Sequence, residues 1–167
     1  MRDPIRDERR SKLPQVFQLD GRTFEIQNGK IPLREMLRSS DHYRSLIEKY
    51  RQRVLTQKTR TIRLLGVKHP AKILNTLLGY EVQAAYKRIQ CPDLVTARYV
   101  RLFSELGCHS IQLPYDPTLT AELIPEFEAI LEAFVRQLRA IFAQDTSLQQ
   151  YVIRKVFAHI RKELRSA

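Results

Sequence analysis

Beyond Lys30, apolar residues return at three-and-four spacing through most of the chain, and no other feature constrains the fold as strongly. Tyr43, Leu46, Ile47, Tyr50 and Val54 fall on one helical face, opposite Arg44, Glu48, Arg51 and Arg53. A broader stripe joins Ile73, Leu74, Leu77, Leu78, Val82, Ala85 and Ile89. Further on, Leu123, Ile124, Phe127, Ile130, Leu131, Phe134, Leu138, Ile141 and Phe142 make a third, and Leu148, Val152, Val156, Ile160 and Leu164 a fourth. The spacing predicts helices over about 41–65, 70–90, 93–106, 119–143 and 147–164.

Local signals agree with those bounds. Ser39-Ser40-Asp41 offers capping oxygens, Gly66 and Gly107 suit helix ends, and Pro70 and Asp93 suit helix starts. Thr118 or Thr120 can cap the long helix, with Pro125 tolerated near its start, and Ser147 with Gln150 forms a capping box. Ahead of the helices, Phe17 and Leu19 alternate up to Asp20-Gly21, and Phe24 and Ile26 alternate after it, which predicts a hairpin ending at a second turn, Asn28-Gly29. The expected fold class is therefore mainly α: a helical bundle of about five main helices with a short N-terminal β-hairpin. Its expected organisation is a flexible charged arm (1–13), the hairpin (14–30), a basic helical half (31–107), a proline-containing connector (108–118) and a C-terminal helical pair (119–167), all in one compact domain.

With 43% apolar and 28% charged residues in 167, the chain can bury a core, which excludes disorder throughout. The longest uncharged run, Leu106 to Tyr115, is too short for a membrane span and contains Pro114. The first ten residues are charged where an export leader would be apolar, and two cysteines do not make a disulfide framework, so a cytoplasmic setting is expected. A formal charge of +11 points to an anionic partner.

That charge is local. Between Arg34 and Lys72 there are eleven basic and three acidic residues; Asp116 to Ala133 has five acidic and no basic; Phe134 to Ala167 has seven basic and two acidic. The densest stretch runs from Arg51 to Arg63, and on a helix Arg53, Thr56, Gln57, Arg60 and Arg63 would share a face that could follow a sugar-phosphate backbone. The candidate nucleic-acid-binding residues are Arg44, Arg51, Arg53, Lys58, Arg60, Arg63, Lys68 and Lys72, with Arg154, Lys155, Arg161 and Lys162 as a second group. Exposed members of Tyr43, Tyr50, Tyr80, Tyr86 and Tyr99 could stack on unpaired bases, although Tyr43 and Tyr50 also fit the core stripe.

Other constellations fall short. Cys91, Cys108 and His109 lack the paired spacing of a zinc site, and Cys108-His109 in an extended connector points its two side chains apart with no orienting acid. His42 reads as a capping neighbour and His159 as a solvent-exposed side chain. The five glycines are isolated, so no phosphate loop is present, and Glu122, Glu126 and Glu132 lack the histidine partners of a di-metal bundle site. No pair of helices around Gly66 or Gly79 suits a helix-turn-helix, and the apolar faces are needed by one another rather than by lipid. We therefore expect a non-catalytic subunit of a ribonucleoprotein, without cofactor or metal, that binds RNA or single-stranded DNA through phosphates and packs against protein neighbours. Small basic helical subunits of CRISPR effector complexes exemplify this class, and no motif in the chain ties it to them. The competing expectation is an adaptor whose basic face docks an acidic protein.

Overall fold

The computed structural model describes residues 16–27 and 30–166. The expected arm over 1–13 and the turn at Asn28-Gly29 lie outside the described residues.

The hairpin forms where the dipeptide puts it. Strands β1 (Val16–Leu19) and β2 (Arg22–Glu25) pair antiparallel across Asp20 and Gly21, whose φ angles of 50° and 76° suit a two-residue turn matching the strands' twist. Phe17 and Phe24 stack across the pair at 5.5 Å, and Phe17 meets Phe142 edge-on at 5.3 Å, which seats the hairpin on the core. The turn's Asp20 carboxylate accepts from the Asp41 amide and from Gln137 Nε2, both at 2.9 Å.

Helices α1 (Leu33–Ser39) and α2 (Asp41–Lys49) follow, with Ser40 accepting from the Tyr43 amide at 3.2 Å as the sequence predicts. The helix expected to reach residue 65 stops early. It loosens into a π-helical turn, Tyr50–Val54, and the chain then extends as β3 (Thr59–Arg63), where β-branched Thr59, Thr61 and Ile62 favour a strand.

The expected helix over 70–90 is also overturned, because this stretch is a three-stranded meander, β4 (Lys72–Thr76), β5 (Gly79–Ala84) and β6 (Lys87–Cys91). Ile73, Val82 and Ile89 stand in one cross-strand row on its inner face, and the other leucines of the presumed stripe, Leu74, Leu77 and Leu78, are exposed. The meander packs on α3 (Leu94–Glu105), capped by Asp93, which accepts from the Thr96 amide at 2.7 Å. The connector expected over 108–118 supplies a further strand, β7 (Ser110–Pro114), antiparallel to β3 with Thr61 opposite Gln112.

Helix α4 (Pro117–Ile141) begins earlier than expected because Asp116, not Thr118 or Thr120, caps it, accepting from the Thr118 amide at 2.9 Å. Pro125 consequently lies inside the helix rather than near its start. Asp145, not Ser147, caps α5 (Thr146–Ser166), accepting from the Leu148 amide at 3.1 Å. Helix α4 packs against α2, α3, α5 and β7, and the core centres on Tyr99, Phe103 and Phe127, with Tyr99 and Phe103 rings 4.8 Å apart.

Five α-helices and seven strands in three small antiparallel sheets make the described residues an α/β mixture, not the mainly α bundle the spacing predicts. Among the described residues, no helix is long and apolar enough to cross a membrane.

Candidate nucleic-acid interface

The break at the π-helical turn scatters the densest basic stretch. Arg51 reaches across to Glu163 on α5 at 2.8 Å, whereas Arg53 turns to Glu122 on α4 at 3.2 Å. Lys58 lies over the Tyr115 ring at 5.7 Å, and Arg60 and Arg63 are exposed on β3. The single helical face expected for Arg53, Thr56, Gln57, Arg60 and Arg63 does not exist, because the segment spanning them is half turn and half strand.

Two clefts instead flank the C-terminal half of α5. The first, of about 470 Å³, opens between α1, α2 and α5. Arg34 and Arg38 come from α1, Arg44 from α2, Arg51 from the turn, and His159 and Lys162 from α5; Glu48 and Glu163 are its acidic members. Helical periodicity puts Arg34 and Arg38 on one side of α1, four residues apart. Arg44 is held by Asp41 at 2.6 Å, an exposed pair worth little in itself. Burial is the main cause pushing the Tyr43 phenol up to about 12, with Glu163 adding to it and Arg51 opposing, so Tyr43 stays a protonated donor beside the cleft. His159 is shifted down, first by burial and then by Lys162 and Arg34, with Lys155 adding to it and Glu163 opposing.

The second cleft, of about 560 Å³, lies between the start of β7 and the end of α5, with Arg161, Lys162, Arg165 and His109 among its lining residues and no acidic residue. Two glycines let its chain segments approach. A Cβ at Gly107 would sit 2.6 Å from the Lys68 amide nitrogen, and one at Gly66 2.9 Å from His109 Nδ1, while φ angles of 83° and 84° further favour glycine at both. Arg161 is fixed by donating to the Leu106 carbonyl at 2.8 Å. Beneath it, burial pushes the Cys108 thiol up to about 12 against the opposing charges of Arg161 and Arg165, so it remains a neutral wall group. Cys91 is likewise buried and pushed up to about 11.

Lys162 lines both clefts. Of the residues expected from the sequence, Arg44, Arg51, Arg161 and Lys162 therefore come together, and Lys68 lies close by, over the Phe157 ring of α5 at 4.9 Å. Arg53, Lys58, Arg60 and Arg63 line neither cleft, Lys72 is exposed on β4, and Arg154 and Lys155 flank the exposed Tyr151 ring at 5.7 and 5.5 Å. Sequence reasoning passed over Arg34, Arg38, His109, His159 and Arg165 as site residues. The four-residue steps Arg34 to Arg38 and Arg161 to Arg165 were the available signal. Tyr50 and Tyr99 are buried, and among the named tyrosines Tyr86 is the fully exposed one at 86%. Among the described residues no group of His, Cys, Asp or Glu could hold a metal ion.

No family model, curated protein or solved structure matches the chain.

Proposed function

We propose that the chain is a non-catalytic nucleic-acid-binding protein that grips a sugar-phosphate backbone along the two clefts beside α5, with little sequence preference. The observation that supports this is the convergence of Arg34, Arg38, Arg44 and Arg51 with Lys162, and the continuation of that band through Lys162 to Arg161 and Arg165. Guanidinium forks match phosphate oxygens in pairs, and a band drawn from several elements can meet successive phosphates. Membership of a larger ribonucleoprotein belongs to the same proposal, with RNA or single-stranded DNA as the nucleic acid.

A second reading, a protein-protein adaptor, is favoured by one feature. The β4–β5 turn carries Leu77 and Leu78, both exposed, on a tip that buries neither.

Fluorescence anisotropy with labelled single-stranded RNA, single-stranded DNA and duplex at two salt concentrations separates the readings. Backbone gripping gives binding to oligonucleotides of unrelated sequence that weakens steeply with salt. Absence of binding at low salt, or affinity indifferent to salt, would overturn it in favour of the adaptor.

A further inference from the structure

The second cleft has more than cations. Its lining includes apolar Leu55, Ile111, Ala158 and Leu164, while Arg161, Lys162 and Arg165 come from the adjoining helix. It also has a polar edge. In the β3–β7 ladder the Leu64 amide bonds to the His109 carbonyl and the Tyr115 amide to the Lys58 carbonyl, and antiparallel alternation turns the main-chain groups of Ser110 and Gln112 to the other side. At Gln112 those groups are taken, the amide by the Tyr50 hydroxyl at 3.2 Å and the carbonyl by the Tyr99 hydroxyl at 2.8 Å. At Ser110, an exposed residue lining the cleft, they are not bonded to β3.

We infer that this cleft receives an unpaired nucleobase, with Ser110 meeting the base's edge and Arg161, Lys162 and Arg165 holding its flanking phosphates. The inference rests on the backbone reading above and names its substrate class: single-stranded rather than duplex nucleic acid. A nucleobase has flat apolar faces and a polar rim, which answers to apolar walls beside a strand edge. An acyl chain would leave the Ser110 groups unanswered, and a bare phosphate would leave the apolar wall uncovered. About 560 Å³ lies within the roughly 300–1,000 Å³ common for small-molecule sites, so a nucleotide-sized occupant fits. In a duplex the base edges are paired and the faces stacked, so only an unpaired nucleotide can enter without opening the helix.

The test compares three ligands on the unaltered full chain at one salt concentration: a single-stranded dodecamer, the same backbone made abasic throughout, and the matching duplex. A base seated in the cleft makes the normal single strand bind about tenfold or more tighter than the abasic strand, and tighter than the duplex. Equal affinity for the normal and abasic strands overturns the inference while the backbone reading stands. Failure of all three ligands to bind at low salt overturns both. Ala158→Phe, which fills the apolar wall and leaves every cation in place, should erase the preference over the abasic strand while the salt dependence persists. Retention of the preference in that variant, with its fold confirmed by circular dichroism, assigns the base to another surface and overturns the inference.

Discussion

The hydroxyl of Tyr99 donates to the main-chain carbonyl of Gln112 at 2.8 Å, and with the Tyr50 hydroxyl accepting from the same residue's amide it satisfies the outer edge of β7 at Gln112 from within. Burial holds the Tyr99 phenol well above its ordinary value, so it remains a donor. Tyr99→Phe keeps the ring's packing and leaves that carbonyl without its partner. We expect a loss of about 1–3 kcal/mol in urea denaturation.

Two ion pairs should behave differently. Arg98 on α3 holds Glu128 on α4 through two bonds, 3.0 and 2.6 Å, with side chains 32% and 30% exposed. Arg136 and Glu132 meet at 2.9 Å with 73% and 72% exposed, within one helix. A double-mutant cycle on the first pair should give about 1 kcal/mol of coupling, and on the second under about 0.5 kcal/mol.

On a single strand the log–log salt slope should be about 3–4, as four to six phosphate contacts at roughly 0.7 each imply. Replacing Arg34, Arg38 and Lys162 with glutamine should lower that slope by about 2 and weaken binding to every sequence alike. Replacing Arg53, Lys58 and Arg60 should lower it by less than about 1, because they line neither cleft. Anisotropy titrations over a salt series measure both.

Binding should strengthen as pH falls below 6.5, the ordinary histidine value from which His159 is lowered. Arg34 and Arg38 on α1, Arg44, Arg51 and Glu48 on or after α2, and Lys155, Lys162 and Glu163 on its own helix surround it, and the cations outnumber the acids. The unfolded chain takes up this proton before the folded one does. His159 therefore costs no stability above pH 6.5 and an increasing amount as pH falls from 6.5 to its lowered value, levelling off below it. A phosphate in the cleft favours the charged ring, so binding is accompanied by proton uptake. His159→Gln should flatten the affinity between pH 7.5 and pH 5.5, and proton uptake can be read by calorimetry in buffers of different ionisation enthalpy.

The hairpin, α2 and the C-terminal helices were legible because their signals are local: Asp20-Gly21 makes its own turn, Ser40 caps the residue three ahead, and the stripe from Leu123 to Phe142 buries on one side. The meander was not. Ile73, Val82 and Ile89 satisfy a helical stripe by spacing, yet they also form one row across three strands, and only pairing between distant residues distinguishes the two. Ser110 to Pro114 ends in a proline, and Pro117 follows three residues on, a pattern that reads as a connector; its strand partner is supplied from Thr59 to Arg63. The basic residues were visible as a charge excess, but their grouping follows from which helix each side chain faces. Arg51 and Arg53 are two residues apart and turn to different helices.

The pairing of β3 with β7 joins Thr61 to Gln112, 51 residues apart, and the meander and α3 lie wholly inside the loop it closes. Such closure contributes contacts only after the intervening chain has been ordered, so this ribbon belongs to the slow part of assembly. One wall of the second cleft is β7 and the other is α5, so the cleft does not exist in a chain that has made only its local hairpins and helices. An occupant of that cleft, by binding only the completed ribbon, would draw that late step forward by mass action.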